Sequence, residues 1–295
     1  MIKLQHIKRW KTINLIWLAL IMITCSLLDD KPIEKALVKI QELPEAITEN
    51  SGMVESGNLL WIINDSGNEP VIYGYNNQQN KIDRTIFIAG AVNTDWEEIT
   101  QDALHFYIGD FGNNSGDRHD LRIYIIDKSD VQDADTVTPS GIIEFSYEDQ
   151  TDFTPANQNT PFDCEAFITI ADSLVLFTKD WQSEQTKLYT LPAKSGTYVA
   201  NFRKQFNASG LITASAYSEE KQELLLLGYR DYIPFIWVIP GFNLGNLTFN
   251  HSSRTDFNEF LGAQTEGIAY SEDGSIYVAS EGSALIPASF FRAEL

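Results

Sequence analysis

One phrase recurs along this chain and leaves few folds open to it: a strand, a tight turn, and a second strand that closes on a polar or charged residue. Its clearest copy is residues 265–281, Thr-Glu-Gly-Ile-Ala-Tyr-Ser-Glu-Asp-Gly-Ser-Ile-Tyr-Val-Ala-Ser-Glu. Asp273-Gly274 between two alternating apolar runs reads as a β-hairpin, because a two-residue turn demands positive φ and glycine takes it freely. Degraded copies stand upstream at Ser51–Asp65, Glu97–Asp110, Glu165–Lys179 and Thr213–Arg230, and Ala216-Tyr217-Ser218-Glu219 repeats Ala269-Tyr270-Ser271-Glu272 outright. A lone hairpin cannot bury its apolar face, so units of this kind must stack on one another.

Each hairpin is followed by a third short run, at Val71–Tyr75, Leu121–Ile126, Thr186–Leu191, Phe235–Ile239 and Ser289–Ala293. A more polar fourth run follows four of them, at Arg84–Ala89, Ile142–Tyr147, Tyr198–Phe206 and Leu247–Ser252. The last unit has no fourth run of its own, and Ala36–Leu43 is expected to supply it. Four-stranded units repeated radially predict an all-β chain, a five-bladed β-propeller of antiparallel blades closed by an N-terminal strand. The heads Ser51, Glu97, Glu165, Thr213 and Glu266 are 46, 68, 48 and 53 residues apart. A blade takes roughly 40–50 residues, so the longest interval reads as one blade plus loops at Lys128–Ser140 and Asp149–Pro161. Six blades is the alternative.

Ahead of the repeats, Lys3, Lys8, Arg9 and Lys11 precede an apolar run from Leu15 to Ile23, and then Cys25. A basic head and a short apolar stretch predict a signal peptide over 1–25, too short for a comfortable membrane span. Ile23-Thr24-Cys25-Ser26 resembles a lipobox, which makes Cys25 the candidate lipidation site of a lipoprotein; cleavage without lipid and an uncleaved anchor are the alternatives. The expected organisation is then signal peptide 1–25, linker 26–35 and a single propeller domain over 36–295, exported to the cell envelope or secreted. Removing residues 1–25 leaves 17 basic against 41 acidic residues, a net charge of −24. Such a surface repels nucleic acid and anionic lipid, so neither is expected as a partner, and a membrane is reached only through an N-terminal lipid. Cys164 is then the sole remaining thiol, excluding an internal disulfide, and four histidines leave little room for zinc.

In a radial array the first strand of each unit lines the axis and the second returns beside it. Heads and tails therefore meet at one face. The heads put polar oxygen at every equivalent position: Ser51, Glu97, Glu165, Thr213 and Glu266. Crowded carboxylates either take up protons or recruit a cation, and calcium, with 6–8 oxygen ligands and tolerant geometry, suits them best. These five are the candidate metal ligands, with Asp95 and Asp163 as supporting acids; the bland alternative is that acids merely solvate strand ends. The tails are Asp65, Asp110, Lys179, Arg230 and Glu281. For a catalytic chain, Asp65, Asp110 or Glu281 is the candidate base, and Lys179 and Arg230 are candidate anion clamps. Against that, the two cations can simply pair with Asp180 and Asp231. The Gly- and Asn-rich loop after Asp110 offers Asn113, Asn114, Arg118 and His119 as candidate ligand contacts, or is only a long turn needing positive φ.

These residues resemble those of two families. The succession Asp95-Trp96-Glu97-Glu98-Ile99, Ile108-Gly109-Asp110-Phe111-Gly112-Asn113-Asn114, Asp163-Cys164-Glu165-Ala166 and Glu266-Gly267-Ile268-Ala269 resembles a family of secreted bacterial propeller proteins with no assigned activity. More distantly, the ring resembles that of calcium-activated nucleotidases (apyrases), five-bladed propellers whose central calcium is held by serine and glutamate. That resemblance implies calcium at Ser51, Glu97, Glu165, Thr213 and Glu266, with threonine replacing a serine. No serine-hydrolase elbow, cysteine–histidine pair or phosphate-cradling glycine loop is present. The sequence therefore favours an exported calcium-binding module for a small molecule or an envelope protein. The alternative is a calcium-dependent hydrolase of phosphoesters, phosphoanhydrides or lactones.

Overall fold

In this computed structural model, residues 35–245, 247–283 and 286–295 are described. The signal peptide, Cys25 and all but the last residue of the linker lie outside them. The architecture is all-β, a β-propeller. β1 (Ala36–Glu42) precedes a unit made of β2 (Asn50–Ser56), β3 (Leu59–Asn64), β4 (Val71–Asn76) and β5 (Lys81–Ile88). Next come β6 (Trp96–Gln101), β7 (His105–Asp110) and β8 (Arg122–Asp127). A helix, α1 (Lys128–Asp133), and the short β9 (Thr136–Val137) then intervene before β10 (Gly141–Tyr147) completes that unit. The third unit is β11 (Asp163–Ile170), β12 (Ser173–Lys179), β13 (Thr186–Pro192) and β14 (Gly196–Phe206). The fourth is β15 (Leu211–Ser218), β16 (Glu223–Arg230), β17 (Ile233–Pro240) and β18 (Ser253–Asp256). β19 (Thr265–Tyr270), β20 (Ile276–Ser280) and β21 (Ser289–Glu294) end the chain, and β1 pairs antiparallel with β21 to give them a fourth strand.

Strands within a unit pair antiparallel in sequence order, and the first strands lie against one another in the closed order β2, β6, β11, β15, β19 and back to β2. Two units are also stitched at the rim, where β10 runs parallel to β14. β9 likewise adds to β5 of the unit before it. The long interval between Glu97 and Glu165 is thus spent on rim pairing and on the loop over 148–162.

The core lies between the sheets. Trp61, Ile63, Ile72 and Ile86 of the first unit close on Trp96, Ile99, Phe106 and Ile108 of the second. This explains the sequence texture. β3, β7, β12 and β16 are covered on both faces and read as continuous apolar runs, whereas the outer β5 and β10 alternate. Burying side chains the size of Trp96 or Phe167 contributes about 1.5–3 kcal/mol each, which makes the interfaces between units the main source of stability. One expected strand is displaced. Leu247–Ser252 is not a strand, and the hydrogen-bonded edge is β18, just after it. Phe249 instead stacks on Phe206 of the neighbouring unit, with centroids 3.9 Å apart.

Candidate functional site

The pairing of first with second strands skips one residue in every unit. Asn50 faces Asn64 and Gly52 faces Ile63, leaving Ser51 without a partner in the ladder. The same β-bulge falls on Glu97, Glu165, Thr213 and Glu266. A bulge breaks the in–out alternation and re-aims one side chain. The five residues aligned as strand heads thus share one backbone device, and all five are buried.

Their partners differ. Asp65, Asp95 and Glu97 each offer a carboxylate oxygen, and the three lie within 4.8 Å of one another. Of the five expected ligands, Glu97 alone belongs to that trio. Glu165 is held by Lys179, 3.0 Å away, and Glu266 hydrogen-bonds with Glu281 and Gln264. The Thr213 hydroxyl donates to the Thr265 carbonyl at 2.6 Å, while Ser51 Oγ has no partner among the described residues. Other buried oxygens flanking the heads and tails also lack one: Asn50 Oδ1, Asn64 Oδ1, Asp110 Oδ2, Thr265 Oγ1 and Ser280 Oγ. A face so rich in unpaired oxygen suits a hard cation and its bound water.

Electrostatics agree with that chemistry. Burial, then the nearby Asp65 and Asp163, push Asp95 up to about 7. Burial, then Glu266 and Asp65, push Glu281 up to about 9. Burial together with Glu165, Asp65, Asp95 and Asp163 holds Glu97 well above the usual carboxylate range. Lys179 is the buried counter-ion. Burial alone would depress it, but Glu165, Glu266 and Asp163 outweigh that and keep it charged, and its ammonium also lies over the rings of Trp181 and Tyr229.

The remaining candidates are largely occupied. Arg118 bridges Asp110, 2.9 Å away, and donates to the Gly112 carbonyl, so it ties down its own loop. The Asn113 amide donates to Asp163, its side chain receives the Arg118 amide, and the Asn114 carbonyl receives Gln158. His119 stacks on Phe153. Arg230 is exposed and sits 3.5 Å from Glu184, not beside Asp231. The same loop packs against two members of the trio: a Cβ on Gly112 would collide with the carboxylates of Glu97 and Asp95. Gly112→Ala is expected to displace both acids and lower stability by about 1–3 kcal/mol, read from the melting temperature.

Sequence reasoning passed over Glu98. It is fully buried, and its carboxyl reaches across the axis to accept the Ser215 amide at 3.0 Å, the Ile99 amide at 3.0 Å and the Met53 amide. Gly52 is needed where it crosses, since a Cβ there would lie 2.6 Å from Glu98 Oε1. A signal was present: the equivalent positions are Gly52, Ala166, Ala214 and Gly267, all small. Beyond Glu98 the first strands enclose a narrow cavity of about 90 Å³, which opens into one of about 640 Å³ among the hairpin turns of the opposite mouth.

No protein-family model matches this sequence, and no curated protein does. Among solved structures the chain is similar to a glucose dehydrogenase, at 6% identity and a TM-score of 0.49, covering 88% of this chain and 99% of the other. It is similar also to the soluble aldose sugar dehydrogenase of Escherichia coli, at 9% identity and a TM-score of 0.46, covering 88% and 99%. A third is the Myceliophteria thermophila Cps50 (Swd1) β-propeller domain, at 9% identity and a TM-score of 0.46, covering 86% and 99%.

Proposed function

We propose that this chain is an exported, lipid-anchored, five-bladed β-propeller that holds calcium at one mouth of its axis and binds a small ligand or an envelope protein. The observation that carries this reading is the Asp65–Asp95–Glu97 trio, set beside five bulged heads and a cluster of unpaired oxygens. Oxygens within 4.8 Å of one another can share one ion at calcium's ligand distance of about 2.3–2.6 Å. The trio has no thiolate or imidazole that would favour a softer metal. Calcium held there would neutralise the trio and cross-link the first two units through Asp65 on one side and Asp95 and Glu97 on the other. The closed cycle of first strands supports the count of five.

Binding has more support than hydrolysis of phosphoesters, phosphoanhydrides or lactones. The cations an anionic substrate would need are engaged, Lys179 by Glu165 and Arg118 by Asp110, and the backbone at Gly112 packs against Glu97 and Asp95. Calorimetric titration of calcium into metal-stripped residues 26–295 tests the centre: binding selective over magnesium is expected, and no binding would overturn it. Turnover of a phosphoester or lactone by the calcium-loaded protein would move the reading to the enzyme. For the anchor, the full chain is expected to partition into the detergent phase and Cys25→Ala to lose that behaviour; identical partitioning of the two would refute lipidation.

A further inference from the structure

The second strands end on the face of the bulged heads, and register decides which of their residues stand level with those heads. In the five units in turn, the residue just past the rung before the bulge is Asp65, Phe111, Lys179, Tyr229 and Glu281. Tyr229, not Arg230, is thus the counterpart of Lys179. Phe111 packs into the core on Phe145 and Phe167. Of the other four, Lys179 is the single cation, and its side chain is only 6% exposed.

Lys179 stands opposite Asp163 in the ladder and diagonal to the bulged Glu165, which its ammonium meets at 3.0 Å. Its charge acts well beyond its own unit. Asp65 of the first unit feels it, as do Tyr229 of the fourth and Glu266 and Glu281 of the fifth. The rings of Trp181 and Tyr229 flank it, with centroids 4.8 and 5.6 Å away. An ammonium coupled to four of the five units stands near the middle of the ring of heads.

A single ion shared by all five heads would need that same place, and the heads do not converge on one. Glu97 joins Asp65 and Asp95, Glu165 is bound to Lys179, and Glu266 is engaged by Glu281 and Gln264. The Thr213 hydroxyl is donated to the Thr265 carbonyl. A dication set between Glu165 and Glu266 would meet the ammonium in a buried, weakly screened site, where repulsion between like charges is strong. Without the ammonium, the same two acids and the oxygens around them would be hard ligands left uncompensated.

We infer that Lys179 is the resident cation of the ring: its ammonium takes the place of a metal ion between Glu165 and Glu266 and confines calcium to the side of Asp65, Asp95 and Glu97. The inference rests on the proposed calcium centre only for the side that the ion takes. The far half of the ring is neutralised by the chain itself, whatever the calcium supply.

The test is calorimetric titration of calcium into metal-stripped residues 26–295 at pH 8, native and Lys179→Met, with melting curves of both. The native protein is expected to take one equivalent. Lys179→Met, which keeps the length of the side chain and removes its charge, should take two, the second between Glu165 and Glu266. Its calcium-free melting temperature should fall by roughly 6–20 °C, the effect of stranding a buried acid in a domain of this size, and calcium should restore most of the loss. Should that variant be too unstable to titrate, Glu165→Gln leaves Lys179 the charges of Glu266 and Asp163. It should still take one equivalent, weakened by at most about tenfold through the lost charge. Calcium bound by Lys179→Met but not by the native protein would refute the trio and uphold Lys179 as the resident cation. Equal stoichiometry and an equal calcium shift in the native protein and Lys179→Met, or loss of calcium binding in Glu165→Gln, would overturn it.

Discussion

Calcium added to the metal-stripped domain raises its melting temperature by at least about 5 °C at a hundredfold excess over Kd. An ion that binds only the folded state contributes about 2.7 kcal/mol at that excess, and a domain of this size shifts by roughly 2–4 °C per kcal/mol. Magnesium shifts it less, because it resists losing its water and demands a stricter octahedron. Asp95→Asn and Glu97→Gln abolish the calcium response yet stabilise the metal-free domain, since each removes a carboxylate that its neighbours and burial penalise. The pH dependence has a definite sign. Asp95, near 7, and Glu281, near 9, bind protons more tightly folded than unfolded, so their contribution is complete at acid pH and is lost as pH rises through those values. Metal-free protein should therefore melt higher at pH 5.5 than at pH 8.5, over and above the acid dependence of its other groups, and calcium should narrow the gap. A melt indifferent to calcium at pH 8 would leave the acids balanced by protons and Lys179 alone.

Much of the fold was legible because the repeat is in the chemistry of the strands. Apolar runs, turns and polar heads recur, and β1 could be assigned to the last unit simply because that unit lacked a fourth strand. Register was not legible. Nothing in Ser51 or Glu97 announces that it is the extra residue of a bulge, yet the bulges set where the heads lie. Ion pairing was misjudged for a related reason. Lys179 ends β12 and reaches Glu165 on the paired strand, whereas Asp180 stands just past the strand and accepts the amides of Gln182 and Ser183 in the turn that follows. Leu247–Ser252 alternates like an edge strand, but burying Phe249 against Phe206 outweighs ladder bonds at an exposed rim. Asp95 was read as support for Glu97 and stands beside it in the trio, a closeness that depends on the turn before β6.

Glu98→Ala should be among the most damaging single substitutions in the molecule, although Glu98 stands next to a residue whose neutralisation helps. Burial raises both carboxyls well above the usual carboxylate range, but their partners differ. Glu97 also faces other carboxylates, which push it further, whereas at Glu98 amides from Ser215, Ile99 and Met53 oppose the shift and so tie the fourth and first units to the second across the axis. Removing it strands buried N–H groups at about 1–3 kcal/mol each and opens a cavity, for a loss of about 3–5 kcal/mol. Against a typical total of about 5–15 kcal/mol, that leaves a marginal fold. Glu98→Gln keeps the volume but turns an NH2 toward one of the amides, so it too destabilises, by about 2–3 kcal/mol. That variant is the sharper test, because it should still fold well enough to be measured. Chemical denaturation of the metal-free domain at pH 8 should move the midpoint up for Glu97→Gln and down for Glu98→Gln, with the slope unchanged in both. Equal effects of the same sign would mean that the buried acids act as one pool of charge, and that the reach of Glu98 across the axis contributes nothing of its own.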